Sequence, residues 1–160
     1  MRSLTRRVSH ISVEPTHLIE VRARQLRLES RLNYRFSGSR AKMLRVQMPG
    51  WEVVEDVQPL EAVESYEFVD GRLSIYLTPD TDSDLELRLT ARRTMHDSGS
   101  VTFELPKPTV ASAAPATVAI LPADNVQLSP HDEELVGLIA ESLPIGIPVP
   151  QRQQPALTYR

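Results

Sequence analysis

Apolar and polar side chains alternate with a period of two along much of this chain. Leu26, Leu28, Leu32, Tyr34 and Phe36 occupy one parity, and Arg27, Glu29, Arg31, Asn33 and Arg35 the other. The rhythm returns at Leu73, Ile75 and Leu77, at Leu85, Leu87, Leu89 and Ala91, and at Val101, Phe103 and Leu105. Successive side chains of a strand point to opposite faces, so each run predicts a strand with one buried and one wet face. Several such strands in series predict a mainly β protein, an antiparallel β-sandwich of the immunoglobulin-like kind. The expected interior is built from Leu26, Leu28, Leu32, Tyr34, Phe36, Leu44, Val46, Leu73, Ile75, Leu77, Leu85, Leu87, Leu89, Val101 and Phe103.

Turn residues divide the pattern. Leu18 to Phe36 reads as one long strand or as two with a phase slip. Val21 and Ala23 are apolar on odd positions and the run from Leu26 on even ones, so a β-bulge or a switch of sheet is expected near Gln25. Pro15 is expected to end regular structure before that. Ser37-Gly38-Ser39 and Pro49-Gly50 are turns, with a returning strand over 41–48 between them. Asp70-Gly71 between two strand patterns is the strongest hairpin signal, because a type I′ turn needs positive φ. Pro106 and Pro108 are expected to stop the short strand over 101–105, and a compact apolar strand follows over 117–121.

Ser129 and Pro130 then suit the cap and first position of a helix, with Asp132, Glu133 and Glu134 at the positive end of its dipole. Leu135, Leu138 and Ile139 would mark its buried face. Pro144, Pro148, Pro150 and Pro155 make the tail extended. The expected organisation is an arm over 1–17, a β-sandwich domain over 18–122, a loop and C-terminal helix over 123–143, and a Pro-rich tail over 144–160. The last residues, Leu157-Thr-Tyr-Arg160, echo Leu32-Asn-Tyr-Arg35, which suggests that a further module starts in the tail.

Composition narrows the chemistry. The chain has no cysteine, which removes disulfides, thiolate metal sites and cysteine nucleophiles together. No apolar run approaches the roughly 20 residues of a membrane span. Arg2, Arg6 and Arg7 are not followed by the apolar stretch of a secretory signal. Charge is asymmetric: residues 1–46 hold 11 Lys and Arg against 3 Asp and Glu, whereas residues 47–90 hold 2 against 11. Opposite blocks predict that the early strands lie beside the central ones with complementary charge. A basic patch for nucleic acid or anionic lipid is disfavoured, because the arginines alternate with core residues instead of clustering with exposed aromatics.

Candidate chemistry is sparse. His10, His17, His96 and His131 form no metal-binding pair and are expected in solvated loops. Asp80, Asp82 and Asp84 at i, i+2 and i+4 match the start of a Ca²⁺ loop, but the Gly and Glu that would complete an EF-hand are missing. A solvated acidic turn is the commoner reading of such a run. Trp51, Tyr66 and Tyr76 are candidate stacking residues for a carbohydrate ligand, although a lone Trp after a turn more often closes a core. A hydrolase built on two acidic residues is a third alternative, which carboxylate spacing in sequence cannot test.

A wider similarity covers about half of the chain. Leu32-Asn-Tyr-Arg-Phe-Ser-Gly38, Met48-Pro-Gly-Trp-Glu-Val53, Asp70-Gly-Arg-Leu73, Leu85-Glu-Leu-Arg-Leu89, Phe103-Glu-Leu-Pro-Lys-Pro108 and Pro122-Ala-Asp-Asn-Val-Gln-Leu128 follow one another in that order. The series resembles the tandem β-sandwich modules of large uncharacterised exported proteins of planctomycete-like bacteria. The resemblance implies an extracytoplasmic or cell-envelope setting and carries no catalytic residues, and apart from the Ca²⁺ candidate the residues call for no cofactor. The expected function is thus a non-enzymatic structural or protein-interaction module. Its partners would be neighbouring modules or another protein, with neither nucleic acid nor a membrane span involved.

Overall fold

The computed structural model describes residues 10–37, 41–79, 84–96, 99–110, 112–141, 148–152 and 155–160. Alternating residues build strands β1 (His10–Val21), β2 (Gln25–Ser37), β3 (Met43–Gln47), β4 (Glu52–Val53), β5 (Val63–Val69) and β6 (Arg72–Leu77). They are followed by β7 (Leu85–Thr94), β8 (Lys107–Pro108), β9 (Ser112–Ala113), β10 (Thr117–Pro122) and β11 (Leu157–Tyr159). One sheet runs β11-β10-β1-β2-β7-β4, with β9 also on β1, and the other runs β5-β6-β3-β8. The protein is a β-sandwich. The large sheet is mixed and not wholly antiparallel, because β9 and β10 both lie parallel to β1.

The even positions of β2 are the centre of the core. Leu26, Leu28 and Leu32 are fully buried, and Tyr34 nearly so. They stand in register with Val21, Ile19, Pro15 and Val13 of β1 on one side. On the other side they meet Arg93, Ala91, Leu87 and Leu85 of β7. Leu44, Val46, Leu73, Ile75 and Leu77 face them from the small sheet. Each large side chain buried this way contributes roughly 1.5–3 kcal/mol. Three members of the expected interior lie further out, Phe103 being partly buried. Phe36 is partly buried and stacks on Tyr34 at a centroid distance of 6.3 Å, and Val101 is exposed.

Several local expectations are corrected. The change of parity near Gln25 is a reversal of the chain, not a bulge. Arg22 N–H bonds Gln25 C=O at 2.9 Å and Val21 pairs with Leu26, so odd positions of β1 share a face with even positions of β2. Pro15 does not end the first strand; it lies inside β1, between the stretch paired with β9 and the stretch paired with β10. A missing N–H there leaves no ladder bond unmade on that side. The strand after 38–40 does not return beside β2 but crosses to the second sheet and pairs with β6. Residues 101–105 join no strand, whereas Lys107 and Pro108, placed where the chain was expected to stop, pair with Gln47 and Val46.

The C-terminal helix is not formed. Among the described residues the stretch holds only a 3-10 turn at Asp132–Glu134, with no side-chain cap and no buried residue. Gly137 at φ 74° breaks the helical path, and residues 139–141 run extended beside β11. Tertiary pairing has overridden a good local start signal. The tail returns to the domain already described. Leu157–Tyr159 is the last strand of the same sheet, in register with Ile120 to Val118.

The Asp70-Gly71 hairpin is formed as expected, with φ of 51° and 74° at its two central residues. Gly71 also sits against the neighbouring Pro49-Gly50 turn. Its carbonyl accepts a bond from Met48 N–H, and a Cβ there would lie 3.1 Å from Pro49 Cα. Gly71→Ala is expected to lower stability by roughly 1–2 kcal/mol, from the left-handed backbone and the backbone contact together. Chemical denaturation with an unchanged m-value would confirm that the cost is local.

Candidate functional site

The aromatic candidates do not form one surface. Trp51 follows the turn at Gly50 (φ 80°) and is 4 % exposed. Its indole N–H donates to the Glu104 carbonyl at 2.7 Å, and its ring meets Phe103 edge-on at 6.0 Å. It therefore pins the unpaired stretch over 101–105 across the core. Tyr66 and Tyr76 are each a little over one-third exposed. Tyr66 pairs with the inward-facing Ile75, whereas Tyr76 pairs with Ser65 on the opposite face. The Tyr66 hydroxyl donates to Asp56 at 3.1 Å. The three rings thus have three different settings: core, rim and outer face.

Asp80 and Asp82 lie outside the described residues, and Asp84 is exposed just before β7. Among the described residues no group of three or more His, Asp or Glu is arranged to hold a metal ion. No helix among them is long and apolar enough to cross a membrane. The outer face of the large sheet carries ion pairs, including Arg27–Glu55 at 2.9 Å and Arg92–Glu52 at 3.2 Å. Arg27–Glu55 joins the basic early block to the acidic central one, as the charge asymmetry predicts. Exposed pairs of this kind contribute about 0–1 kcal/mol each.

Sequence reasoning missed His17. It was expected in a solvated loop, yet it is fully buried at the middle of β1. Its Nδ1 shares a 2.7 Å hydrogen bond with the buried Ser30 Oγ directly opposite on β2, while Nε2 is buried without a partner among the described residues. Burial pushes the imidazole down to about 4. The signal was present in the alternation: Val13, Pro15, His17, Ile19 and Val21 share one parity. His10, His96 and His131 are exposed, and His131 lies 3.8 Å from Glu133.

A second region lies at the β11 edge. Tyr159 is 3 % exposed and packs inward beside Val118, and its hydroxyl reaches Asp132 at 3.5 Å. Burial first, and then Asp132, raise its hydroxyl above the ordinary tyrosine range. Ile139 and Arg160 exchange both backbone bonds at 3.0 and 2.9 Å, and Glu141 N–H bonds Thr158 C=O at 3.1 Å. These bonds add 139–141 outside β11. Val136 and Ile139 are 92 % and 74 % exposed. An open cleft of about 350 Å³ is lined by Pro115, Ala116, Leu138, Ile139, Glu141 and Arg160. On the outer face, Ala156 covers the small apolar group Leu18, Ala119 and Leu121, and Arg152 approaches Glu20 at 3.7 Å.

No family model and no curated protein matches the chain. Among solved structures it is similar to an M1 zinc metallopeptidase from Deinococcus radiodurans bound to a Tyr-Ser-Ala substrate. The TM-score is 0.52 at 11 % identity, over 94 % of this chain and 38 % of that one. A leukotriene A4 hydrolase from Saccharomyces cerevisiae is matched at TM-score 0.46 and 11 % identity, over 76 % of this chain and 26 % of that one. The cohesin of a type I cohesin–dockerin complex from Clostridium thermocellum is matched at TM-score 0.44 and 17 % identity, over 76 % and 99 % of the two chains. The chain spans well under half the length of the metallopeptidase, and what the two share is the fold of that part.

Proposed function

We propose that this chain is a non-enzymatic, immunoglobulin-like β-sandwich module, structural or protein-binding, that works as part of a larger protein of the cell envelope. The observation that carries this reading is the 139–141 edge. Among the described residues this segment pairs on one side only, through Ile139 and Glu141, so the Ala140 backbone faces away beside exposed Val136 and Ile139, which are features to which another protein adds. The similarity to one part of a longer metallopeptidase chain supports a module that is joined to others. The resemblance of residues 26–105 to exported modules is the basis for the envelope setting.

Two measurements test the proposal. The purified chain, given Tyr-Ser-Ala and zinc, is expected to release no tyrosine above a zinc-only blank, and turnover would overturn the non-enzymatic reading. A photo-crosslinking residue at Ile139 is expected to capture a protein neighbour in the producing cells, while the same group at Tyr76 captures none. Equal capture at both positions, or none at Ile139, would remove the binding edge from the proposal.

A further inference from the structure

We propose that His17 is an acid-sensitive latch: protonating its buried ring opens the seam between β1 and β10 and frees β11, while the rest of the sandwich stays folded. The argument starts from the ring's two nitrogens. Nδ1 is engaged by Ser30 Oγ, and whichever atom holds the proton of that bond, Nε2 meets no partner among the described residues. A second proton would therefore place a cation in hydrocarbon with one N–H unsatisfied.

Among the described residues no group is placed to compensate that charge. On the inner face the row through His17 reads Tyr159, Val118, His17, Ser30 and Leu89 across β11, β10, β1, β2 and β7. Tyr159 is the titratable member of that row, and Asp132 lies at its hydroxyl end. Tyr34 lies on β2 two inward positions further along. The small sheet presents Leu44, Val46, Leu73, Ile75 and Leu77. Among the described residues His17 and Ser30 are the buried residues of polar or charged type. Glu14, Glu20, Glu29, Arg27 and Arg31 alternate with the inward positions and face outward, and Arg152 joins Glu20 there.

Solvating the new cation requires one seam beside β1 to open. The β1–β2 seam has twelve antiparallel residue pairs and carries the Ser30 bond. The β1–β10 seam has six pairs and is parallel, a slightly less stable pairing per residue. Opening the second seam is the smaller change, and it takes β11 with it because β11 pairs with β10. The ring ordinarily titrates near 6.5 and in the folded sandwich near 4. The latch is thus intact above pH 6.5, weakens as the pH falls from 6.5, and reaches its limit near 4.

The experiment is amide hydrogen exchange on the full chain between pH 7 and 4.5, with rates corrected for the intrinsic effect of pH. Opening at β10 and β11 is expected to rise about tenfold per pH unit below 6.5 and to stay well above opening at β6, which shares that slope only through the rarer global unfolding that also exposes the ring. In His17→Gln, which keeps a hydrogen-bonding group but cannot titrate, the β10–β11 profile is expected to be flat. Equally frequent opening at β6 and β10 would show that the ring is exposed by global unfolding alone and overturn the latch. So would a slope that survives in His17→Gln, or its absence from the unmodified chain. If His17→Gln does not fold, the order of loss at β10 and β6 in the unmodified chain decides.

Discussion

A chain cut before Pro144 is expected to lose about 5 kcal/mol of stability and to melt about 10–20 °C below the full chain. The cut removes Tyr159, a large side chain 3 % exposed against Val118. It also removes the Leu157–Tyr159 pairing along β10, uncovers Leu18, Ala119 and Leu121 where Ala156 packs, and takes Arg152 from Glu20. Aromatic-to-alanine changes in a core cost about 3–5 kcal/mol by themselves. Tyr159→Ala should accordingly reproduce more than half of the loss in thermal or denaturant unfolding. A truncated chain that melts with the full one would show that β11 is a passive attachment.

Trp51→Ala should cost about 3–5 kcal/mol. The indole fills the core end, meets Phe103 edge-on and donates to the Glu104 carbonyl. Trp51→Phe keeps most of the apolar volume and drops the hydrogen bond, so a loss of about 1–2 kcal/mol is expected from the orphaned carbonyl. The chain has a single tryptophan, so its emission reports the same site. Blue-shifted emission that moves to the red at the unfolding midpoint is the expected signature. An emission maximum already at its solvent value in the folded state would contradict the buried position.

Much of the core was legible because alternation is a direct physical signature of a half-buried strand. Leu26, Leu28 and Leu32, the Leu85–Leu89 run and the Asp70-Gly71 hairpin stand where the pattern puts them. The reversal at 22–25 was not legible, because Arg22-Ala-Arg-Gln25 contains none of the usual turn residues. Pro15 misled for a different reason. A proline is excluded from a strand only where its missing N–H would have been needed, and that depends on the neighbours β9 and β10, which lie about 100 residues away in sequence. The expected helix failed because its start signals are local, whereas the extended path of 139–141 is set by β11. At the candidate sites, Trp51 kept the core role that its position after a turn favours. His17 was overlooked because its type was weighed before its parity.

The parallel pairing of β1 with β10 also governs how the chain reaches this state. Residues 16–21 must wait for residues 117–122 before the first strand has neighbours on both sides, and β10 in turn waits for residues 157–159. Such distant partners cost loop-closure entropy before any contact rewards it, which places folding in the slow, millisecond-to-second class of all-β domains. During synthesis the β1–β2 hairpin would emerge from the ribosome with an unprotected amide edge. The sandwich is therefore most exposed to misassembly until residues 117–122 have been made.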